Sequence, residues 1–368
     1  MQERIATDAG ADLSRMTNVE ARPAAQDWPE SDLERLGRCP VCGSASRALA
    51  VQNARDGVFE TAGRWDYHRC RCGILYLDPR PSEAAIRRAY ERYYTHHEDR
   101  GDLAWRAPGF RGNVRRAYLN ARYGYRLRPA SLVGRLTWRM RERAVRNLDF
   151  MIRHLPAPPP RRARVLDVGC GNGGFLRVAQ DLGYEAVGID PDPCAVGHAE
   201  ARGLAARTGR LPGSGLERAS FDHLFLNHVL EHLHAPLAAL EEALSLLVPG
   251  GRLWLSQPNP DGPGFARFGG SWRGLEPPRH LTLAGAARLA DMLSSAGFER
   301  VELLPAEESA EFYYRQSLAI SLGLDPEGRD EPPGWGGGLQ AEALAANRYA
   351  RADPARGESL TLVAWRPK

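Results

Sequence analysis

The sequence predicts an α/β fold, a largely parallel sheet with helices on both faces, and three observations carry that expectation. From Arg164 to Leu304, strand-like and helix-like segments alternate, which is the signature of βαβ units. The first of these strands, Arg164 to Val168, runs directly into glycines and then a helix, so the backbone there can approach a ligand without Cβ obstruction. A carboxylate, Asp190, then closes the next strand, roughly 20 residues downstream of the turn.

Taken in chain order, residues 1–30 lack periodicity and read as a mobile leader. Residues 31–81 carry cysteines, glycines and short apolar runs such as Ile74-Leu75-Tyr76-Leu77, predicting a small β-rich module closed by Pro79 and Pro81. Residues 82–155 read as a helical segment. Within it Leu132, Leu136, Met140, Ala144, Leu148, Ile152 and Leu155 recur at helical spacing and form one apolar stripe.

The proline run Pro156 to Pro160 breaks the chain and opens the main domain, residues 156–368. There the predicted order is strand 164–168, helix 174–182, strand 186–190, helix 194–202 and strand 221–229. Helix 237–247, strand 252–256, helix 285–296 and strand 300–304 follow, and 360–365 supplies a last strand after an insertion at about 307–356. Trp335-Gly336-Gly337-Gly338 reads as a flexible surface turn.

A net charge of +4 is too small to indicate nucleic acid by itself. No stretch of about 18 apolar residues occurs, and Met1 to Trp28 builds no apolar signal core, so a cytoplasmic protein is expected. Four of the six cysteines form two tight pairs, Cys39/Cys42 and Cys70/Cys72, which points to metal rather than cross-links. Four thiolates suit a closed tetrahedral zinc with a structural role, and Cys170 and Cys194 read as small packing residues.

The glycine turn Asp167-Val168-Gly169-Cys170-Gly171-Asn172-Gly173 suits a dinucleotide and S-adenosylmethionine (SAM) alike, and Asp190 can bind the ribose of either. Asp167 favours SAM, because a carboxylate there attracts the methionyl ammonium and repels a pyrophosphate. The competing reading is that Asp167 only caps the loop.

These residues resemble the class I SAM-dependent methyltransferases, whose sheet is Rossmann-like. The resemblance continues through Phe221 to Leu233 and through Leu247-Val248-Pro249-Gly250-Gly251-Arg252-Leu253. Trp272-Arg273-Gly274-Leu275-Glu276-Pro277-Pro278-Arg279-His280-Leu281, followed by Ala296-Gly297-Phe298, is similar to a bacterial subgroup. That subgroup is related to ubiquinone-type O-methyltransferases and to enzymes that methylate sugars and polysaccharides, and the cysteine module resembles a zinc ribbon.

The resemblance implies SAM as cofactor, with Asp167, Gly169, Cys170, Gly171 and Gly173 around its methionyl part and Asp190 on the ribose. Leu211 would flank adenine, and Asn227 and His228 would lie beneath the sulfonium. The relatives carry Glu-x-x-Glu-His, linked to a divalent metal, where this chain has His228 in place of the first Glu, so magnesium is not expected.

Methyl transfer to an oxygen needs in-line placement and benefits from a base. His280 and His232 are the first candidates and His228 the third, with Glu231 available to orient a ring. The implied acceptor is a small molecule or glycan, phosphorylated or lipid-linked acceptors included, methylated at oxygen in polysaccharide or secondary-metabolite biosynthesis. Sugar C-methylation, an NAD-linked oxidoreductase and a non-catalytic binding scaffold are the alternatives.

Between Arg111 and Arg146 arginines abound, interleaved with Tyr118, Tyr123, Tyr125 and Trp138. That stretch fits a solvated helix face over an aliphatic stripe, or a surface for anionic acceptors or a peripheral membrane face, with nucleic acid the least favoured.

Overall fold

The computed structural model describes residues 28–91, 106–131, 142–305 and 307–368. The leader up to residue 27 lies outside the described residues, and so do Leu132, Leu136, Met140 and Trp138.

Strands β1 (Leu33–Glu34), β2 (Arg47–Ala54), β3 (Trp65–Cys70), β4 (Leu75–Leu77) and β5 (Arg80–Pro81) precede helices α1 (Gly109–Tyr123) and α2 (Glu142–Met151). The alternating part then runs β6 (Arg164–Val168), α3 (Gly174–Asp181), β7 (Glu185–Asp190), α4 (Pro193–Ala201), β8 (Ala205–Thr208) and β9 (Phe221–Asn227). It continues through α5 (Pro236–Leu246), β10 (Leu247–Pro258), α6 (Pro263–Phe268), β11 (Thr282–Leu283), α7 (Ala286–Ser295) and β12 (Glu299–Leu303). Helices α8 (Ala310–Ser321) and α9 (Gly337–Ala352) precede the last strand, β13 (Ser359–Trp365).

The main sheet has the order β12-β13-β10-β9-β6-β7-β8. Strands β6 to β10 run parallel, whereas β13 is antiparallel to both neighbours, so the sheet is mixed. Side chains of β6 alternate between its faces. Leu166 and Val168 enter a core with Leu240, Leu289 and Leu293 from α5 and α7. Val165 enters the opposite core with Leu176 and Ala179 of α3 and with Tyr118 and Leu148 of α1 and α2. The strand order reverses at β6, between β7 and β9, which opens a crevice at the carboxyl ends of these strands.

The cysteine module does not close on itself. Its sheet, β11-β4-β3-β2, takes its edge strand from residues 282–283 of the main domain. Its core joins Trp65, Tyr67, Leu75 and Leu77 to Trp272, Leu275, Leu281 and Leu283. So short a segment has too little apolar surface for an independent core, and borrowing the downstream loop supplies the rest.

Two expectations are corrected. Tyr118 and Tyr125 are buried, their hydroxyls donating to Asp149 and to the Leu155 carbonyl, so they offer no stacking platform. Arg111, Arg122, Arg126 and Arg128 point outward and form the solvated face above them. The insertion holds the packed pair α8 and α9, and Gly337, expected in a flexible turn, instead begins α9.

Arg279 joins the two parts of the chain. It is fully buried, and its Nη1 donates to Asp56 Oδ2 (2.8 Å), Thr61 Oγ1 (2.9 Å) and the Ala89 carbonyl (3.1 Å). Burial alone would raise the Asp56 carboxyl pKa, but the Arg279 charge and hydrogen bond hold it below the usual range. Removing one partner leaves the other charge stranded in a dry interior. Arg279→Met is expected to cost about 3–5 kcal/mol in urea unfolding. The exposed Arg267–Glu342 pair gives the control, with Arg267→Met costing under about 1 kcal/mol.

Candidate active site

The glycine turn at the end of β6 is built from its own backbone. The N–H groups of Gly169 and Cys170 donate to the Ile189 carbonyl, that of Gly173 to the Cys170 carbonyl, and that of Gly171 to Asp190 Oδ2 (2.8 Å). A phosphate cradle needs such groups free and pointing outward. These four are consumed internally, which disfavours a pyrophosphate. Glycine is required here in two ways. Gly169 has φ +70° and a Cβ on it would stand 2.6 Å from Val229 Cγ2, while Gly173 (φ +86°) would meet Leu204 Cδ1 at 2.4 Å.

Asp190 holds the turn against the next strand, its second oxygen accepting from the Asp192 N–H at 2.9 Å. A carboxylate offers about four lone-pair positions, so both oxygens keep capacity for ribose hydroxyls. Asp167 is buried on the α3 side. One of its oxygens is ion-paired with Arg153, while Oδ2 is buried without a hydrogen-bond partner. Burial pushes its pKa up to about 6 even though the Arg153 charge opposes the shift. Cys170 turns its sulfur under β7, in contact range of Gly188, so its side chain is a packing group. Leu211 is also buried, in the opposite core.

Asn227 ends β9 with its Oδ1 buried and without a partner. His228 follows with φ +52°, its N–H bonded to the Ser256 carbonyl. A non-glycine residue in that region is strained, and it recurs where function fixes the backbone. The turn through Leu230–His232 brings Glu231 back under His228, with Nδ1 donating to Oε1 over 3.2 Å. Glu231 is fully buried and the His228 side chain is one-third exposed. Burial opposes ionisation of both, yet their mutual hydrogen bond and attraction raise the His228 pKa above, and lower the Glu231 pKa below, the ordinary values.

The other two histidines are held differently. His280 sets Nδ1 2.8 Å from the Gly274 carbonyl and Nε2 3.2 Å from Glu276 Oε2. The Glu276 pKa lies well below the usual range: burial would raise it, but Arg273, the His280 bond and Arg279 outweigh that. Both His280 nitrogens therefore face acceptors, and the ring is held between the Gly274 carbonyl and Glu276. His232 Nδ1 faces the Tyr90 hydroxyl (2.9 Å) and the Arg279 carbonyl (3.2 Å), and burial with the neighbouring His280 charge lowers its pKa to about 4. Ligand-capable atoms of Glu231, His232 and His280 lie within 4.8 Å of one another.

Arg153, Tyr90 and Tyr67 are contacts that sequence reading did not find. Arg153 lies in a left-handed turn after α2 (φ +50°), stacked 3.8 Å over Phe175. No spacing rule connects it to Asp167. The four cysteines do converge, with Cys39 Sγ 3.8 Å from Cys72 Sγ, Cys42 Sγ 3.5 Å from Cys70 Sγ, and all four within 4.8 Å. A tetrahedral zinc with bonds of ~2.3 Å spaces its sulfurs by roughly 3.8 Å. The donor set fits.

A strand-switch crevice, a glycine turn with satisfied amides and the buried carboxylates Asp167 and Asp190 beside it agree with a methyltransferase fold. Sequence comparison agrees. A methyltransferase-domain family model matches residues 138–303. A ubiquinone biosynthesis O-methyltransferase of Cereibacter sphaeroides is 30% identical over 206 residues, covering 53% of this chain and 75% of the relative. That of another strain is 33% identical with the same coverage. A probable SAM-dependent methyltransferase of Mycolicibacterium smegmatis is 32% identical over 137 residues, or 37% of this chain and 51% of the relative. A solved structure from Thermotoga maritima, described as a possible histamine N-methyltransferase, overlaps with TM-score 0.39 and 18% identity, covering 63% of this chain and 93% of that one. The chain belongs to the class I SAM-dependent methyltransferases, and SAM is its cofactor. Among the described residues no helix is long and apolar enough to cross a membrane.

The histidine environments predict distinct titrations. In an NMR pH series the His228 ring stays protonated above pH 6.5, because its pKa is raised, whereas the His232 ring stays neutral down to about pH 4. A His232 ring titrating near the free-imidazole value would contradict the geometry.

Proposed function

We propose that the chain transfers the SAM methyl group to a hydroxyl of a small-molecule acceptor, with His228 as the general base. The observation that carries this reading is the His228–Glu231 pair: a fully buried carboxylate accepts a hydrogen bond from Nδ1–H and leaves Nε2 as the basic nitrogen of a ring that is one-third exposed. This is the arrangement that fixes a tautomer and raises imidazole basicity. His232 and His280 flank the pair and support its position, their rings 4.6 Å apart. The names of the Cereibacter relatives favour oxygen as the receiving atom.

The residues present fit SAM. In this reading Asp167 Oδ2 and Asn227 Oδ1, buried without partners, meet the donors of its methionyl part, Asp190 takes the ribose, and Leu211 borders the adenine. Gly169, Gly171 and Gly173, with the Cys170 backbone, let the cofactor lie against the turn. Bound SAM supplies an electrophilic methyl on a sulfonium leaving group. The protein's part is to align the acceptor oxygen with that bond and to hold its proton at His228 Nε2.

The test is methyl transfer from labelled SAM to a panel of phenols, catechols and glycosides. Hydroxylated acceptors are expected to be methylated, and SAM turnover with none of them would sink the reading. His228→Ala should lower kcat roughly 10²–10⁴-fold with SAM affinity retained. Because the base acts when neutral and Glu231 raises its pKa, the rate should climb as pH rises through a value above 6.5. Glu231→Gln should move that limb to lower pH.

In the same reading Cys39, Cys42, Cys70 and Cys72 hold one structural zinc with no open position. Elemental analysis after zinc-replete expression should give about one zinc per chain. A Cys42→Ser variant should lose it, and a wild-type chain free of zinc would overturn the assignment.

A further inference from the structure

The cysteine module meets the active-site loop through several side chains, Tyr67 among them. Tyr67, on β3, is fully buried, and its hydroxyl lies 2.7 Å from the Leu275 carbonyl and 3.0 Å from the His280 carbonyl. The single phenolic proton is shared between two main-chain acceptors five residues apart.

Between those carbonyls lies Glu276, whose φ of +41° is left-handed for a residue with a side chain. Such a conformation persists only where its surroundings over-determine it. From it Glu276 reaches Arg273 (3.1 Å) and His280 Nε2 (3.2 Å). The far side of this loop meets the exit of β9. The Leu281 N–H donates to the Glu231 carbonyl (2.7 Å), and the Arg279 carbonyl faces His232 Nδ1. The β4–β11 pairing, Thr282 with Tyr76 and Leu283 with Leu75, anchors the next residues to the same module.

We propose that Tyr67 is a positioning residue for methyl transfer, fixing from the cysteine module the Leu275–His280 loop that braces Glu231 and His232 beside His228. The proposal rests on the assignment of His228 and Glu231 as the catalytic pair. Tyr67 touches neither cofactor nor acceptor in this view. It acts through main-chain carbonyls, so its loss should be felt in turnover and not in cofactor binding. The module is then part of the catalytic apparatus, although its cysteines stay away from the transferred methyl.

Tyr67→Phe removes the hydroxyl alone. Tyr184→Phe is the matched control, since the Tyr184 hydroxyl is also buried and donates to a carbonyl, that of Pro156 (2.8 Å), beside the amino end of β7 and away from the crevice. In the full chain, Tyr67→Phe is expected to lower kcat on the order of 10- to 100-fold, as slight misplacement of reacting groups does. S-adenosylhomocysteine affinity by calorimetry should stay within about twofold, and Tyr184→Phe should keep wild-type kcat. Hydrogen exchange over residues 272–283, measured without acceptor, should accelerate in Tyr67→Phe and not in Tyr184→Phe.

An unchanged kcat in Tyr67→Phe overturns the proposal. So does a kcat loss accompanied by an equal loss of S-adenosylhomocysteine affinity, or one matched in Tyr184→Phe, since either marks general loosening. A wild-type chain that methylates no acceptor in the panel refutes the activity reading instead. The exchange measurement then still decides whether Tyr67 anchors the loop, and unchanged exchange in Tyr67→Phe refutes the anchoring.

Discussion

A carboxylate without access to solvent, Glu231, is the point on which the active site turns. Burying an ionised group is costly unless an opposite charge or strong donors accompany it. His228 supplies that partner from three residues away, which is possible only because the chain reverses through the Leu230–His232 turn and His228 takes a left-handed backbone. The Glu231 main chain then receives the Leu281 amide, so one residue ties the sheet's exit to the loop that covers it.

That loop explains the two-part build of the protein. The cysteine module is too short for an independent core, and the Trp272–Leu283 stretch has no regular element of its own beyond a two-residue strand. Each completes the other, through the shared core around Tyr67 and Trp272, the β4–β11 pairing and the buried Arg279–Asp56 pair. The four cysteines gather at one end of this assembly, away from the His228–Glu231 pair.

The glycine turn illustrates how a motif gains meaning from its hydrogen bonds. Glycines at the same spacing serve phosphates where their amides are free. Here the amides of Gly169, Cys170, Gly171 and Gly173 are satisfied within the turn and by β7, Asp190 being one of the acceptors, and Asp167 lies buried at the start of the turn. Such a turn is unlike a phosphate cradle, in keeping with the methyltransferase family.

Local signals were enough to read the alternation from β6 to β12, the glycine turn, Asp190 at the end of β7 and the paired cysteines, because periodicity, backbone freedom and ligand spacing act over a few residues. The surroundings of the histidines were not legible. His228 meets Glu231, and His280 lies between the Gly274 carbonyl and Glu276, arrangements set by a left-handed turn and a distant loop. Arg153 beside Asp167 and Tyr67 beneath His280 bridge 14 and 213 positions. Nor did composition show that the arginine-rich segment buries its tyrosines or that residues 307–356 hold two packed helices. Sequence by itself determined which chemistry the chain carries and on what kind of sheet. Tertiary structure decided which side chains face one another, because those contacts join elements that no local rule relates.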